Sequence, residues 1–204
     1  MGKGSGNMKL ERSFYTREIL TVSRELIGKN LVHRTPRGIT KGRIVEVEAY
    51  VGAVDKASHA YGNRRTDRTA IQYSVGGFAY VYLIYGMYDC MNIVTGQEGL
   101  AEAILIRALE PVEGIELMRE RRHTTALKNL CSGPGKLCMA MGITRECYGL
   151  DLCGDELYLE EGSVPVKPNE ISATKRINID YAEEARDFPW RFILTGSPFL
   201  SVKG

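Results

Sequence analysis

The spacing of apolar residues changes from a helical to a strand-like period near the start of the chain. In residues 16–29 the apolar side chains fall on one helical face, Thr16 is suited to cap the start, and Gly28 is suited to the end. Residues 31–34 and 39–51 then form two strand-like runs joined by a Pro-Arg-Gly turn sequence. The pattern predicts a surface helix followed by a β-hairpin.

The second strand of this hairpin carries acidic residues inside an apolar pattern. Its alternation predicts one face with Ile44, Glu46, Glu48 and Tyr50 and an opposite, apolar core face with Val45, Val47, Ala49 and Val51. The pattern favours an open sheet face with paired charges, because glutamate is rarely buried unless it is paired. The alternative is that one glutamate acts on a water molecule as a general base. The facing carboxylates of a glycosidase are not expected, because these side chains project in parallel.

The remainder of the chain alternates between loops and short apolar runs. Residues 52–77 are rich in glycine, arginine, threonine and aspartate and predict a long basic loop. Residues 78–85 and 88–95 predict a second hairpin that turns at Gly86-Met87. The further predicted elements are a strand over 103–109, a helix after Pro111 that ends by His123, a short helix from the 131–137 loop to Gly142, and short strands within 156–159 and 190–194.

The composition of the chain is typical of one ordinary globular domain. The chain has 204 residues, of which 44% are hydrophobic and 25% are charged. Residues 1–8 are glycine-rich and end at a second methionine, so we assign them to a flexible arm or a cloning remnant and residues 9–204 to the domain. The sequence shows no charged-then-apolar leader and no apolar run near the ~18 residues of a membrane span. We therefore expect a soluble, cytoplasmic protein without membrane contact.

The charge balance, the cysteine pattern and the motifs exclude several classes of function. The 27 Lys and Arg residues against 25 Asp and Glu residues give a net charge of +2, so nucleic-acid binding would require clustered positive charge. The five cysteines include no C-x-x-C pair and the three histidines are scattered, so we expect no zinc site and no disulfide framework. A nucleotide-hydrolysing P-loop is excluded, because Leu137 follows Lys136 where Ser or Thr is needed.

Arg107 is a permanent cation inside the apolar run 103–109. Such a side chain must have an anionic or carbonyl partner. A structural ion pair and a role in a functional site are both compatible with the pattern. If the partner is Glu48, the carboxylate would be held ionised and a water molecule could be held between the two side chains.

Tyrosines and basic residues concentrate around the second hairpin. Tyrosine in strands is usually half-buried packing, but flat aromatic side chains can also stack on an unpaired base, and one at a hairpin tip can wedge between base steps. Basic runs at 64–68 and 119–122 could contact phosphates, although a single run is more often a solvated face. The tyrosines within this segment are Tyr80, Tyr82, Tyr85 and Tyr88.

Taken in order, these segments resemble the alkyladenine (3-methyladenine) DNA glycosylase family. The resemblance extends over nearly the whole chain, whose length is similar to that of bacterial members. It is carried by residues 42–50 (GRIVEVEAY), His59, residues 80–88 (YVYLIYGMY), 90–93 (CMNI), 105–111 (LIRALEP), 130–134 (LCSGP) and 196–198 (GSP).

The resemblance implies roles for the candidate residues. Glu48 would be the general base that activates water, and Arg107 would help to hold that water together with a backbone carbonyl at Leu200. The base pocket, the wedge and the phosphate contacts would involve further residues. Tyr50, His59 and Tyr82 would enclose the flipped base, Asn92 would exclude normal guanine, Tyr85 would fill the hole in the duplex, and Arg64, Thr66 and Arg68 would contact phosphates.

The resemblance also implies the activity and the fold. Family members excise purines such as 3-methyladenine, 7-methylguanine, hypoxanthine and ethenoadenine from double-stranded DNA during base excision repair. We expect a monofunctional enzyme without lyase activity, because no motif places a lysine to form a Schiff base. We further expect a monomer without metal or nucleotide cofactor. The implied fold is a single α+β domain with a curved, mainly antiparallel β-sheet, surrounding helices and a protruding, DNA-inserting β-hairpin.

Two departures from the family pattern and two rival functions stay open. Asp89 replaces a familiar aromatic near the hairpin tip, where a carboxylate would oppose DNA phosphates, and Gln72 stands where an apolar intercalation helper is expected. One rival is a nucleic-acid-binding module without catalysis, since the family fold is similar to the RNA-binding C-terminal domain of methionyl-tRNA formyltransferase. The other is a nucleoside or glycoside hydrolase, for which the arginine clusters and Tyr85 would have no purpose.

Overall fold

Strand β2 is the centre of the computed structural model, which describes residues 8–203. β2 (Gly38–Tyr50) pairs along one edge with β5 (Glu102–Glu113). Its other edge pairs first with β1 (Asn30–Thr35) and then with β8 (Arg191–Leu194). β2 therefore brings together residues that are far apart in the chain.

The other strands extend this sheet on both sides of β2. Beyond β5 lie β4 (Tyr88–Thr95) and β3 (Ala79–Ile84), and beyond β1 lies β6 (Leu157–Glu160). β7 (Ile171–Thr174) pairs with β8. All of these pairings are antiparallel, so the curled sheet with its few helices confirms the predicted α+β class and both predicted hairpins.

The first predicted helix is shorter than expected. The segment contains α1 (Arg12–Tyr15) and then α2 (Ile19–Leu26). The N-cap of α2 is Glu18, whose side chain accepts hydrogen bonds from the backbone N–H groups of residues 20 and 21, so the prediction of Thr16 as the cap was wrong. A carboxylate suits this position, because it also interacts favourably with the helix dipole.

The later helices lie where the pattern placed them, and they cover the sheet. α3 (Ile115–Arg122) ends at His123, and α4 (Pro134–Met141) begins after the glycine-containing loop and ends at Gly142. The main core contains buried residues from α2, α4 and the central strands. Among the largest fully buried side chains are Leu26, Leu31, Ile44, Met91, Ile104, Ile106 and Phe192.

The pairing of β2 with β5 is irregular at Glu46, and this changes the predicted faces of β2. Ile44 lies opposite Leu109 and Glu46 opposite Ala108, so Val45 is an extra residue on β2. Ile44 consequently joins the main core with Val47 and Ala49 rather than sharing a face with the glutamates. The prediction that strict alternation continues through this strand was therefore wrong at Ile44 and Val45.

A second register shift on β5 makes Arg107 the extra residue of that strand. Glu46 lies opposite Ala108 and Val47 opposite Ile106, so Arg107 has no partner of its own in the ladder. Bulges bend a strand and redirect side chains, and they are common next to active sites. Here the two bulges bring the guanidinium of Arg107 to the carboxylate of Glu46, with 2.9 Å between Nε and Oε1.

Glu46 is fully buried and is the anion of a larger network. Its Oε1 also accepts from Nε of Arg191 at 2.9 Å, and its Oε2 accepts from the backbone N–H of Ser201 at 2.7 Å. Burial opposes its ionisation, but the hydrogen bonds from Ser201 and the charges of the two arginines outweigh this effect, so the pKa of Glu46 is lowered. The network joins β2, β5, β8 and the segment around residue 201.

The start of the described chain pairs with a later segment. The predicted arm lies outside the described residues, except for Met8, whose carbonyl accepts a hydrogen bond from the Glu161 N–H at 2.8 Å.

Among residues 8–203, no helix is long and apolar enough to cross a membrane. All five cysteines are described, and each has a free thiol.

The Glu46 network predicts that Glu46→Gln destabilises the fold. The substitution keeps the shape of the side chain but leaves Arg191 buried without an anion and Arg107 with only the more distant Glu48. Breaking a buried ion pair in this way typically costs about 3–5 kcal/mol in free energy of unfolding. Urea unfolding would measure the difference. The matched control is Glu116→Gln, which removes an exposed ion pair with Arg119 and should change stability little. Equal effects of both substitutions would contradict the role given to Glu46.

Candidate functional site

A cavity of about 530 Å³ lies beside the protruding hairpin. Its walls come from β3, β4, β5, the loop after β2, the start of α4 and the segment 177–181. Of the residues predicted to form a site, Tyr50, His59, Tyr82, Tyr85, Asn92 and Arg107 line this one cavity. The topology thus brings together residues that are spread over three separate segments of the sequence.

Glu48 lies directly behind the cavity wall and is fully buried. Its Oε2 accepts a hydrogen bond from the Tyr50 hydroxyl at 2.8 Å, and its Oε1 accepts one from the Ile177 N–H at 2.7 Å. Nη1 of Arg107 is 3.4 Å from Oε2. All three partners line the cavity. The favoured expectation of an open, charged sheet face was therefore wrong, because both glutamates are buried and hydrogen-bonded.

The two glutamates differ in their electrostatics. Burial raises the pKa of Glu48 above its ordinary value, and the opposing effects of Arg107, the Ile177 N–H and the Tyr50 hydroxyl do not cancel this. The sequence suggested that Arg107 would hold Glu48 ionised. Its charge does act to lower the pKa of Glu48, but burial outweighs this effect, and the closer carboxylate partner of Arg107 is Glu46. A carboxylate with a raised pKa is a stronger proton acceptor than an ordinary one.

Aromatic rings form much of the cavity wall. The ring centroids of His59 and Tyr82 are 4.8 Å apart, and those of Tyr80 and Tyr82 are 5.3 Å apart. The guanidinium of Arg68 lies 4.6 Å from the centre of the Tyr82 ring. Tyr50 completes this aromatic surface from β2. The cavity therefore combines flat aromatic faces with polar side chains such as those of Gln72, Asn92 and Arg107, as expected of a site for a planar ligand.

His59 is held in one orientation on this wall. Its Nδ1 is 2.9 Å from the Tyr80 hydroxyl. Burial, together with the charges of Arg68 and Arg64, lowers the pKa of His59 to about 4. The imidazole is therefore neutral at physiological pH, and one of its ring nitrogens can accept a hydrogen bond while the other donates.

Two amide side chains lie at the base of the cavity. Asn92 is buried, and its Nδ2 donates to the Tyr80 carbonyl at 3.2 Å. Gln72 is only 2% exposed and lines the cavity, so it does not lie where an intercalating side chain would reach DNA.

The tip of the β3–β4 hairpin exposes apolar side chains beside the cavity. Tyr85 is 74% exposed and Met87 is 66% exposed. Tyr85 adopts a left-handed backbone conformation with φ 53°, which is unfavourable for a residue with a side chain. Asp89 is paired with Arg145 at 3.5 Å, so its carboxylate is compensated by a nearby cation.

The two basic runs differ in accessibility. Arg64, Thr66 and Arg68 are exposed on the loop beside the cavity, and the Thr66 hydroxyl is 3.2 Å from the Thr69 hydroxyl. In the run 119–122, by contrast, arginines bind groups of the protein itself: Arg121 donates to the Ala140 carbonyl and Arg122 donates to the Leu130 carbonyl. The 64–68 run is the more accessible candidate for binding an anion.

Sequence reasoning missed several residues that hold this site. Arg191 could have been found, since it is a cation inside an apolar strand, the same signal that singled out Arg107. Arg176, which pairs with the buried Asp55, lies in a polar segment and gives no such signal. Ser201 binds Glu46 through both its backbone N–H and its hydroxyl, and a single serine in a short irregular segment gives no pattern signal.

Comparison with known proteins gives one consistent result. Residues 13–198 match the family described as methylpurine-DNA glycosylase. A protein from Alkaliphilus oremlandii is 55% identical, with 96% of this chain and 100% of the relative aligned. A protein from Clostridium acetobutylicum is 54% identical over 96% of this chain and 98% of its own length. Both relatives carry the provisional name 3-methyladenine DNA glycosylase.

The surroundings of His59 predict how its titration responds to nearby charge. Arg68→Ala should raise the pKa of His59 from about 4, because a positive charge that disfavours the imidazolium is removed. The chemical shift of the His59 ring protons, followed by NMR over a pH titration, would measure the change. Arg65→Ala is the matched control, since Arg65 packs on Tyr73 instead. An unchanged pKa in Arg68→Ala would contradict the electrostatic explanation.

Proposed function

The chain belongs to the methylpurine-DNA glycosylase family, and from this we propose that it excises damaged purines from double-stranded DNA in base excision repair. The observation that carries the proposal is a buried carboxylate, Glu48, whose three partners line a cavity of aromatic residues. The products would be a free base and an abasic site.

Glu48 acts as the general base in the proposed reaction. A water molecule held between Glu48 and Arg107 attacks C1′ of the deoxyribose as the bond from C1′ to the purine nitrogen breaks. The bonding electrons leave with the base, and Glu48 takes a proton from the water. Before this transfer, the ionised carboxylate stabilises the positive charge that develops on the sugar. Its raised pKa favours the proton transfer.

The cavity binds the base after the nucleotide has rotated out of the duplex. Tyr50 and Tyr82 stack on its faces, and the neutral His59 hydrogen-bonds to its edge. Asn92 excludes guanine, because its amide is fixed by the Tyr80 carbonyl and cannot retreat from the exocyclic amino group. Enclosure of a planar base between aromatic side chains fits the shape and lining of the cavity.

The hairpin and the basic loop hold the DNA. The exposed Tyr85 enters the stack and occupies the space that the flipped nucleotide leaves. Arg64, Thr66 and Arg68 contact phosphates from the loop beside the cavity. The cost of extruding a base is a few kcal/mol and is lowest for a damaged, weakly paired base. This difference contributes to selection of the lesion.

The substrates proposed are 3-methyladenine, 7-methylguanine, hypoxanthine and ethenoadenine. An alkylated purine with a positive charge is a good leaving group, so it needs little assistance beyond Glu48. The enzyme is proposed to act as a monomer. It uses hydrolysis alone, without lyase activity, metal or nucleotide cofactor, since water rather than a lysine amine is the proposed nucleophile.

We predict that Glu48→Gln abolishes most base release. Loss of a general base typically lowers the rate about 10²–10⁴-fold. Single-turnover release from a duplex with one ethenoadenine or hypoxanthine would measure it, with strand cleavage scored before and after alkali. Breaks that appear only after alkali support a monofunctional glycosylase. Glu98→Gln, at an exposed position away from the cavity, is the control and should retain the wild-type rate.

Other outcomes of this experiment would replace the proposed function. No release from any lesion by the wild type, despite tight and salt-dependent binding of DNA, would indicate a binding module without catalysis. Salt-insensitive release from free nucleosides would indicate a nucleoside hydrolase. Strand breaks without alkali would contradict the absence of lyase activity.

A separate prediction concerns the hairpin tip. Tyr85→Ser should weaken binding of a lesion-containing duplex while the thermal stability of the protein stays unchanged, because Tyr85 is exposed and contributes little to the core. Fluorescence anisotropy with lesion-containing and undamaged duplexes would compare the affinities. Val54→Ser, at an equally exposed apolar position outside the hairpin, is the control. Unchanged lesion affinity in Tyr85→Ser would remove the wedge from the proposal.

A further inference from the structure

Asp55 and Arg176 form a fully buried ion pair next to the cavity. The contact is bidentate: Nη1 of Arg176 is 2.5 Å from Oδ2 of Asp55, and Nη2 is 2.9 Å from Oδ1. Both side chains have no exposed surface. A buried pair of this kind is weak evidence for stability, because the desolvation of two charges offsets much of their attraction. Its presence therefore calls for another explanation.

The pair connects the loop after β2 with the C-terminal segment. Asp55 also accepts hydrogen bonds from the backbone N–H groups of Val51 and Ala57, at 3.0 Å each. Arg176 also donates to the Ala49 carbonyl at 2.8 Å and to the Ala185 carbonyl at 3.2 Å. The two side chains thus fix the backbone on both sides of Tyr50 to the segment that begins at residue 176.

Two of the three hydrogen bonds that hold Glu48 depend on this connection. The Ile177 N–H, which donates to Oε1 of Glu48, belongs to the residue directly after Arg176. The Tyr50 ring, whose hydroxyl donates to Oε2, lies 4.8 Å from the Arg176 guanidinium. The same guanidinium also lies 5.0 Å from the centre of the Trp190 ring. Movement of Arg176 would therefore displace a partner of each carboxylate oxygen.

We propose that the Asp55–Arg176 pair is a positioning element for Glu48, which acts by fixing the Ile177 N–H and the Tyr50 hydroxyl on its two oxygens. This inference rests on the proposed role of Glu48 as the base. Arg176 itself does not touch the base or the sugar. Its effect is on the orientation of the carboxylate, and a misplacement of about 1 Å can lower a rate about 10²-fold.

The experiment compares Arg176→Gln, Arg176→Lys and Asp55→Asn with the wild type. Single-turnover release of 7-methylguanine from a duplex gives the rate, and the dissociation constant for an ethenoadenine duplex, measured in a Glu48→Gln background, gives the affinity. We expect Arg176→Gln to lower the rate about 10²-fold and to leave the affinity unchanged within about threefold. Arg176→Lys should retain part of the rate, because it keeps the charge but not the bidentate geometry.

Two controls separate positioning from a general effect on the fold. Lys175→Ala, at the exposed neighbouring residue that pairs with Asp187, should behave as the wild type. Arg176→Gln should cause no further loss of rate in the Glu48→Gln background, where there is no base to position. Thermal unfolding of each variant identifies which variants are folded at the assay temperature. If Arg176→Gln is not folded at that temperature, Arg176→Lys replaces it in the comparison.

The outcomes distinguish failure of this inference from failure of the proposed function. Equal loss of rate in both backgrounds, or a loss of affinity as large as the loss of rate, would overturn the positioning role. An unchanged rate in all folded variants would also overturn it. If Glu48→Gln alone releases 7-methylguanine at the wild-type rate, the base is not Glu48 and the proposed mechanism itself fails.

Discussion

The buried carboxylate of Glu46 is the interaction on which the rest of the site depends. It neutralises Arg107 and Arg191, two cations that could not otherwise be buried between strands. The bulges on β2 and β5 set the position of Glu46, and they turn the side chains of Glu46 and Arg107 away from the main core. Because Arg107 then reaches Glu48 as well, the same network holds the structure together and shapes the cavity wall.

Glu46 and Glu48 show how two similar residues on one strand acquire opposite properties. The pKa of Glu46 is lowered, because hydrogen bonds from Ser201 and two arginine charges outweigh its burial. The pKa of Glu48 is raised, because one more distant arginine and two hydrogen bonds do not outweigh its burial. The structural carboxylate is thus kept ionised, while the neighbouring one is the better proton acceptor.

The sequence predicted the parts of this arrangement that depend on local patterns. The two hairpins and the exposed position of Tyr85 at a hairpin tip follow from alternation and turn residues. The buried guanidinium of Arg107 follows from an isolated charge in an apolar run. The bulge at Val45 did not follow, because one inserted residue reverses the faces of a strand without changing its composition. The contacts of Ile177 and Ser201 were also beyond reach, because backbone N–H groups and a single serine hydroxyl leave no trace in a side-chain pattern.

The hydrogen bonds to the two glutamates come from far along the chain. Ile177 lies 129 residues after Glu48, and Ser201 lies 155 residues after Glu46. Such non-local contacts form late in folding, and during synthesis they must await the C-terminal segment. A ribosome-bound chain that ends before residue 176 would already contain the cavity residues Tyr50, Tyr80 and Tyr82, but it would lack Tyr181 and these two partners of its glutamates.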